Sequence, residues 1–177
     1  MTLTSTSGFT VSAMTTSNDQ TQLSDDDLLR RAVRLAIDNL AEGRAPFGAL
    51  VVRDGQIVGT GVNTTARDDD PTAHAEVEAV RDACRNLKTT GLTGAMVVSS
   101  CEPCVMCHAT CAVAGVSRII YAAPKEFVPG FEYSPPLLTQ MQDALQQLAG
   151  DSIQYVPTPG ADEPFARFLE WMKGDTR

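Results

Sequence analysis

The chain has 177 residues, 43% of them hydrophobic and 20% charged, which fits one globular core. Its 14 Lys plus Arg stand against 22 Asp plus Glu, a net charge of -8, and this is a poor footprint for gripping a phosphate backbone. No apolar run reaches the length of a membrane span, and the start lacks the basic and apolar stretches of a secretory signal, so a cytoplasmic setting with reduced thiols is expected for the five cysteines.

Residues 1–22 are rich in Thr and Ser, lack periodicity and read as a disordered tail before a single domain at 23–177. Ser24 reads as an N-cap, with Asp25, Asp26 and Asp27 at the positive end of a helix dipole. An apolar stripe of helical period follows at Leu28, Leu29, Ala32, Val33, Ala36, Ile37 and Leu40, and Gly43 ends it. Two strands, 47–52 and 56–62, flank a tight Asp54-Gly55 turn. A polar loop at 64–72 leads to a helix from about 74 to 87. A short buried strand at 95–99, a helix of small residues at 104–114 stopped by Gly115, and a second buried strand at 118–122 come next. A Pro-containing loop at 124–136 precedes a helix at about 138–148, an edge strand at 153–156 and a last helix at about 164–173. Strands alternating with helices predict a mixed sheet covered on both faces.

His74 and Glu76, then Cys104 and Cys107 behind Pro103, carry the chemistry. One imidazole and two thiolates suit a tetrahedral metal, and three protein ligands leave a fourth corner for water, the layout of a catalytic zinc. One Zn2+ per chain is therefore expected. At about 100° per residue, Val77, Val80, Ala83, Cys84 and Leu87 share one side of their helix, with Glu76 at the centre of that arc. Glu78 points outward with Arg81, Asp82 and Arg85. A carboxylate held among apolar side chains is costly, and such a placement suits a group that takes and returns a proton. The bland alternative has Glu76 capping its own helix or meeting an Arg. Cys104 and Cys107, three apart, share a helix face, and a helix N-terminus favours thiolate.

The cysteine run admits other readings. Cys101, Cys104, Cys107 and Cys111 have the spacing of an iron–sulfur run, but Ala112 follows where that motif has Pro, and no second run exists. Cys104 to His108 satisfies the haem-attachment string, which belongs to exported proteins. A C-x-x-C redox pair would leave His74 and Glu76 idle. His108 reads as a helix residue with a local hydrogen bond, Cys101 and Cys111 as packing behind the site, and Cys84 as core.

Three segments, Pro46-Phe47-Gly48-Ala49, Asp70-Pro71-Thr72-Ala73-His74-Ala75-Glu76-Val77 and Ser100-Cys101-Glu102-Pro103-Cys104-Val105-Met106-Cys107, resemble the zinc-dependent cytidine deaminase superfamily over about 27–123. Within it the pattern looks most like bacterial guanine deaminases. The resemblance implies a three-layer α/β/α sandwich around a mixed five-stranded sheet. It implies zinc on His74, Cys104 and Cys107, and Glu76 as proton carrier. It also implies substrate contacts from Asn63, Phe47 and Ala75, and from Glu132 and Tyr133 in the specificity region. Glu132 keeps the acidic type found there and Tyr133 does not. Without the resemblance, Asn63 reads as a strand-end turn residue and Phe47 as a core aromatic. The implied reaction is hydrolytic loss of ammonia from guanine, cytosine or a triazine-type ring. A tRNA adenosine deaminase and a non-catalytic zinc or redox protein are the alternatives. The resemblance further implies a homodimer with the terminal helix closing the site, although Phe165, Phe168, Leu169 and Met172 also have plain core spacing.

Overall fold

The strand Gly48–Arg53 (β1) is buried on both faces, and this decides the architecture. Its alternate residues feed two separate clusters: Ala49 and Val51 join one, Leu50 and Val52 the other. Only a sheet with helices on both sides accepts such a strand. The structure is a computed structural model and describes residues 23–129, 136–147 and 156–174.

Helix α1 (Asp25–Ala41) covers one face through Leu28 and Ala32, packed with Val98. Its start is a capping box in which Ser24 accepts from the Asp27 N–H and Asp27 accepts from the Ser24 N–H. Gly43, at φ 77, follows the end of the helix. The expected stripe is narrower than read. Ile37 and Leu40 are exposed, and Asn39 takes the buried place in the last turn.

Strand β2 (Gln56–Val62) returns antiparallel to β1 through Asp54 and Gly55, both at positive φ, as a two-residue primed turn requires. After β2 comes α2 (Thr65–Asp68), a single turn inside the expected loop, then α3 (Ala75–Leu87) on the second face of the sheet. Strand β3 (Met96–Cys101), helix α4 (Val105–Val113) and strand β4 (Arg118–Ala123) complete a parallel crossover. Sheet order is β2-β1-β3-β4, four strands among the described residues. Of the fifth, expected at 153–156, positions 153–155 lie outside the described residues, and Val156 is not in a strand. α/β layering with a mixed sheet is thus as expected.

The described residues divide into two compact units at 132/133. In the second, α5 (Leu137–Gln147) and α6 (Glu163–Gly174) lie close to their expected bounds. On α6, Phe168 and Trp171 stack with centroids 5.6 Å apart, and Phe165, Leu169 and Met172 are exposed. No helix among the described residues is long and apolar enough to cross a membrane.

Candidate active site

Topology brings the candidate residues to one edge of the sheet. β1 is antiparallel to both β2 and β3, so β2 and β3 are parallel and end on the same side. The helices that follow them, α3 and α4, therefore begin at that edge, where open α/β sheets carry their sites. His74 is the N-cap of α3 and Cys104 the N-cap of α4. Neither side chain makes a capping hydrogen bond, so both are available as donors to a metal.

Helix α3 sits unusually close to β2. A Cβ on Gly61 would collide with Ala75 O and Ala79 N, and one on Gly59 would lie 2.5 Å from Ala79 O and Ala83 N. Glycine on the strand and alanine on the helix permit this approach. Two polar side chains then lock it along the outer edge of β2: Thr60 N–H donates to Asp82 Oδ2 (3.0 Å) and Asn86 Nδ2 donates to Val58 O (2.9 Å). Asp82, expected to be merely solvated, is half-buried by this duty, and Leu87 is exposed rather than core.

At the meeting point, Cys104 Sγ and Cys107 Sγ are 3.6 Å apart, and His74 Nδ1 lies 3.7 Å from the first and 3.6 Å from the second. Zinc bond lengths of about 2.3 Å to sulfur and about 2.0 Å to nitrogen place tetrahedral sulfur–sulfur edges at roughly 3.8 Å and sulfur–nitrogen edges at roughly 3.5 Å. The three donors fit a zinc ion as they stand, and they form a possible metal group of one imidazole and two thiols. The Cys107 sulfur holds the Cys104 thiol down to about 3, helped by the His74 ring and the Cys107 N–H. The same sulfur–sulfur contact, with burial and the Glu76 charge, pushes Cys107 well up. The Cys104 sulfur raises His74. Zinc would take both sulfurs as thiolates, so its binding would release any thiol proton held at the corner.

Glu76 is 6% exposed in the first turn of α3, while Glu78 faces outward and pairs with Arg81. The Glu76 carboxylate is hydrogen-bonded on both oxygens: Ser99 Oγ donates to Oε1 (2.7 Å) and Cys107 Sγ to Oε2 (3.2 Å). Glu76 therefore neither caps its helix nor pairs with an Arg. Ser99 was missed in the sequence, although a hydroxyl two residues before a strand's last cysteine, on the Val97 side of an alternating strand, is a readable signal. His108 Nδ1 contacts Cys104 O at 3.1 Å, a local helix contact as expected. Cys101 and Cys111 are buried behind the site; burial raises both thiols, Cys111 to about 11.

The residues expected to face a ring lie at the same edge. Asn63 follows β2 and its N–H donates to Phe47 O (3.1 Å), next to the start of β1. Asn63 Oδ1 accepts from Thr65 Oγ1 (2.8 Å), so the Nδ2 end is the donor left to face a ligand. Phe47 is half-buried against the α3–α4 cluster. Ala75 is wholly buried in that cluster. Glu132 and Tyr133 lie outside the described residues.

Residues 22–123, more than half of the chain, match the model of the cytidine and deoxycytidylate deaminase zinc-binding region. The chain is 41% identical over 102 residues to a guanine deaminase of Bacillus subtilis, covering 57% of this chain and 65% of that one. It is 36% identical over 95 residues to a tRNA-specific adenosine deaminase of Aquifex aeolicus, covering 54% and 63%. These matches span just under two thirds of the relatives' length. A solved guanine deaminase structure from Bacillus subtilis superposes with a TM-score of 0.65 at 29% identity, over 84% of this chain and 95% of that one.

Proposed function

The chain belongs to the cytidine and deoxycytidylate deaminase zinc-binding family, and from that premise we propose that it hydrolytically removes an amino group, as ammonia, from a free nucleobase or base-like heteroaromatic ring. The observation that carries this is the pairing of a three-donor metal corner with a buried carboxylate beside it that accepts a hydrogen bond from Ser99. Zinc on His74, Cys104 and Cys107 would leave one position for water and lower its pKa toward about 7. Glu76 would take the proton of a water so activated and give it to the ring nitrogen beside the amino-bearing carbon, to which the hydroxide adds. A second transfer through Glu76 would carry the proton of the added hydroxyl to the amino group, so that the C–N bond breaks, ammonia leaves and the ring carbon becomes a carbonyl. Ser99 holds the carboxylate in the orientation that both transfers need. Asn63 Nδ2 offers a hydrogen bond to an acceptor on the ring, and Phe47 an apolar edge.

Guanine is the first choice of substrate. Support comes from the 41% identity to a guanine deaminase and from the net charge of -8, which suits a small neutral ligand. A second reading, tRNA adenosine deamination, is favoured by the 36% identity to a tRNA-specific enzyme. The acidic balance opposes it. The exposed apolar residues of α6 support a role for that helix in closing a site, in the homodimer that the family pattern suggests; a monomeric mass in light scattering overturns the dimer. The substrate test is ammonia release by the zinc-loaded chain from guanine, cytosine, adenosine, an aminotriazine and an adenosine-bearing anticodon stem-loop. Release from a free ring is expected. Release from the stem-loop alone selects the second reading, and release from none overturns both.

A further inference from the structure

Asn39 is 3% exposed in the last turn of α1, on the face of the sheet away from α3 and α4. No apolar stripe accounts for it. Its Nδ2 donates twice, to Ala45 O (2.7 Å) and to Asn63 O (2.9 Å), the second 24 residues along the chain. The first acceptor lies two residues before Phe47, whose N–H itself donates to Ala45 O (2.8 Å). The second is the backbone of Asn63, whose N–H bonds back to Phe47 O. One amide thus ties together the two segments that carry the ring-facing pair. The other end of the same side chain is left over. Asn39 Oδ1 is buried and makes no hydrogen bond among the described residues. An unpaired buried acceptor costs stability, so a residue retained for packing alone would be apolar at this place. What Asn supplies, and Leu or Ala cannot, is the double donation.

Resting on the deaminase reading above, we infer that Asn39 is a positioning residue: it clamps the backbone of Asn63 and the turn before Phe47, and so fixes where the substrate ring sits without touching it. Because α1 lies across the sheet from the metal corner, the clamp acts on ring binding and not on the donors that hold the ion.

The test uses two variants in the full chain. Asn39→Ala removes the side chain; Asn39→Leu keeps its bulk, removes the donors and removes the unpaired Oδ1. Guanine binding is measured by calorimetry in a Glu76→Gln background, where turnover is suppressed, and backbone hydrogen exchange is followed in parallel. Both variants are expected to weaken guanine binding about tenfold, to speed exchange across residues 45–49 and 62–65, and to leave residues 97–107 and zinc content unchanged. A Leu variant with unchanged binding and unchanged exchange overturns the clamp and returns Asn39 to a packing role. If the background itself binds no guanine, the substrate reading fails, and exchange decides the clamp by itself: faster exchange at the two segments keeps it, unchanged exchange overturns it.

Discussion

The two faces of the sheet hold different kinds of information. On the α3–α4 face, small residues let helix and strand approach closely, and the reactive groups are delivered by helix N-caps and first turns. The α1 face is also tight at one glycine, since a Cβ on Gly48 would lie 2.6 Å from Ala32 O, but its polar exception, Asn39, acts on backbone rather than on a ligand. Chemistry is assembled on one side and its ring-facing edge is set from the other. The difference teaches why one half of the site carries a motif and the other does not. A metal ligand must be of a given type, whereas a backbone carbonyl can be held by any suitably placed donor.

The sharpest way to break this division is at the donors and the carboxylate. Glu76→Gln should keep zinc and lose turnover on the order of 10³-fold, and wild-type ammonia release from that variant sinks its role. Cys104→Ala should lose both zinc and activity, and stoichiometric zinc by metal analysis counts against the ligand set.

Gly61→Ala probes the close approach itself. The added Cβ meets helix backbone, which cannot rotate away, so α3 must shift and carry His74 with it. A loss of about 3 kcal/mol in denaturant unfolding and a weaker hold on zinc are expected. Gly43→Ala is the control: nothing lies within 4 Å of its Cβ, and only the positive φ is strained. It should cost about 1 kcal/mol and leave zinc alone. Equal zinc loss in both variants would show that the site is not set by the β2–α3 contact.

Much of this was legible from residue order. The His74–Glu76 pair and the Cys104–Cys107 pair follow from helix geometry and donor chemistry, and the buried arc on α3 correctly separated Glu76 from Glu78. The primed turn at Asp54-Gly55 and the stop at Gly43 follow from φ preferences. What escaped is whatever depends on a partner far along the chain. Ser99 matters because residue 76 lies against it; Asn39 because residue 63 does; Asp82 because the edge of β2 is open. Periodicity reports which side of a helix is buried, not what meets it there. That is why Ile37 and Leu40 looked like core and Asn39 did not.

Ser99→Ala should lower kcat by about tenfold, the worth of a hydrogen bond to a charged group, with zinc content and KM little changed. Ser99→Thr, which keeps the hydroxyl, should recover most of the rate. If Ala and Thr behave alike, the contact is packing and Ser99 does not orient the carboxylate.

The smallest effect belongs to the far end of α1. Ser24 and Asp27 cap each other, and the Ser24 hydroxyl and N–H hold the Asp27 carboxyl below its ordinary 3.8. A depressed folded value means stability that is present above the ordinary value and fades as pH falls through the depressed one. Ser24→Ala should therefore lower Tm by about 3 °C near pH 6, and the gap between variant and wild type should narrow as the pH falls below the ordinary value of 3.8. KM should not move, because fraying the first turn leaves Asn39, in the last turn, in place. A change in KM from Ser24→Ala would mean that α1 transmits strain along its whole length, and the ring-facing edge would then be held by the entire helix rather than by one amide.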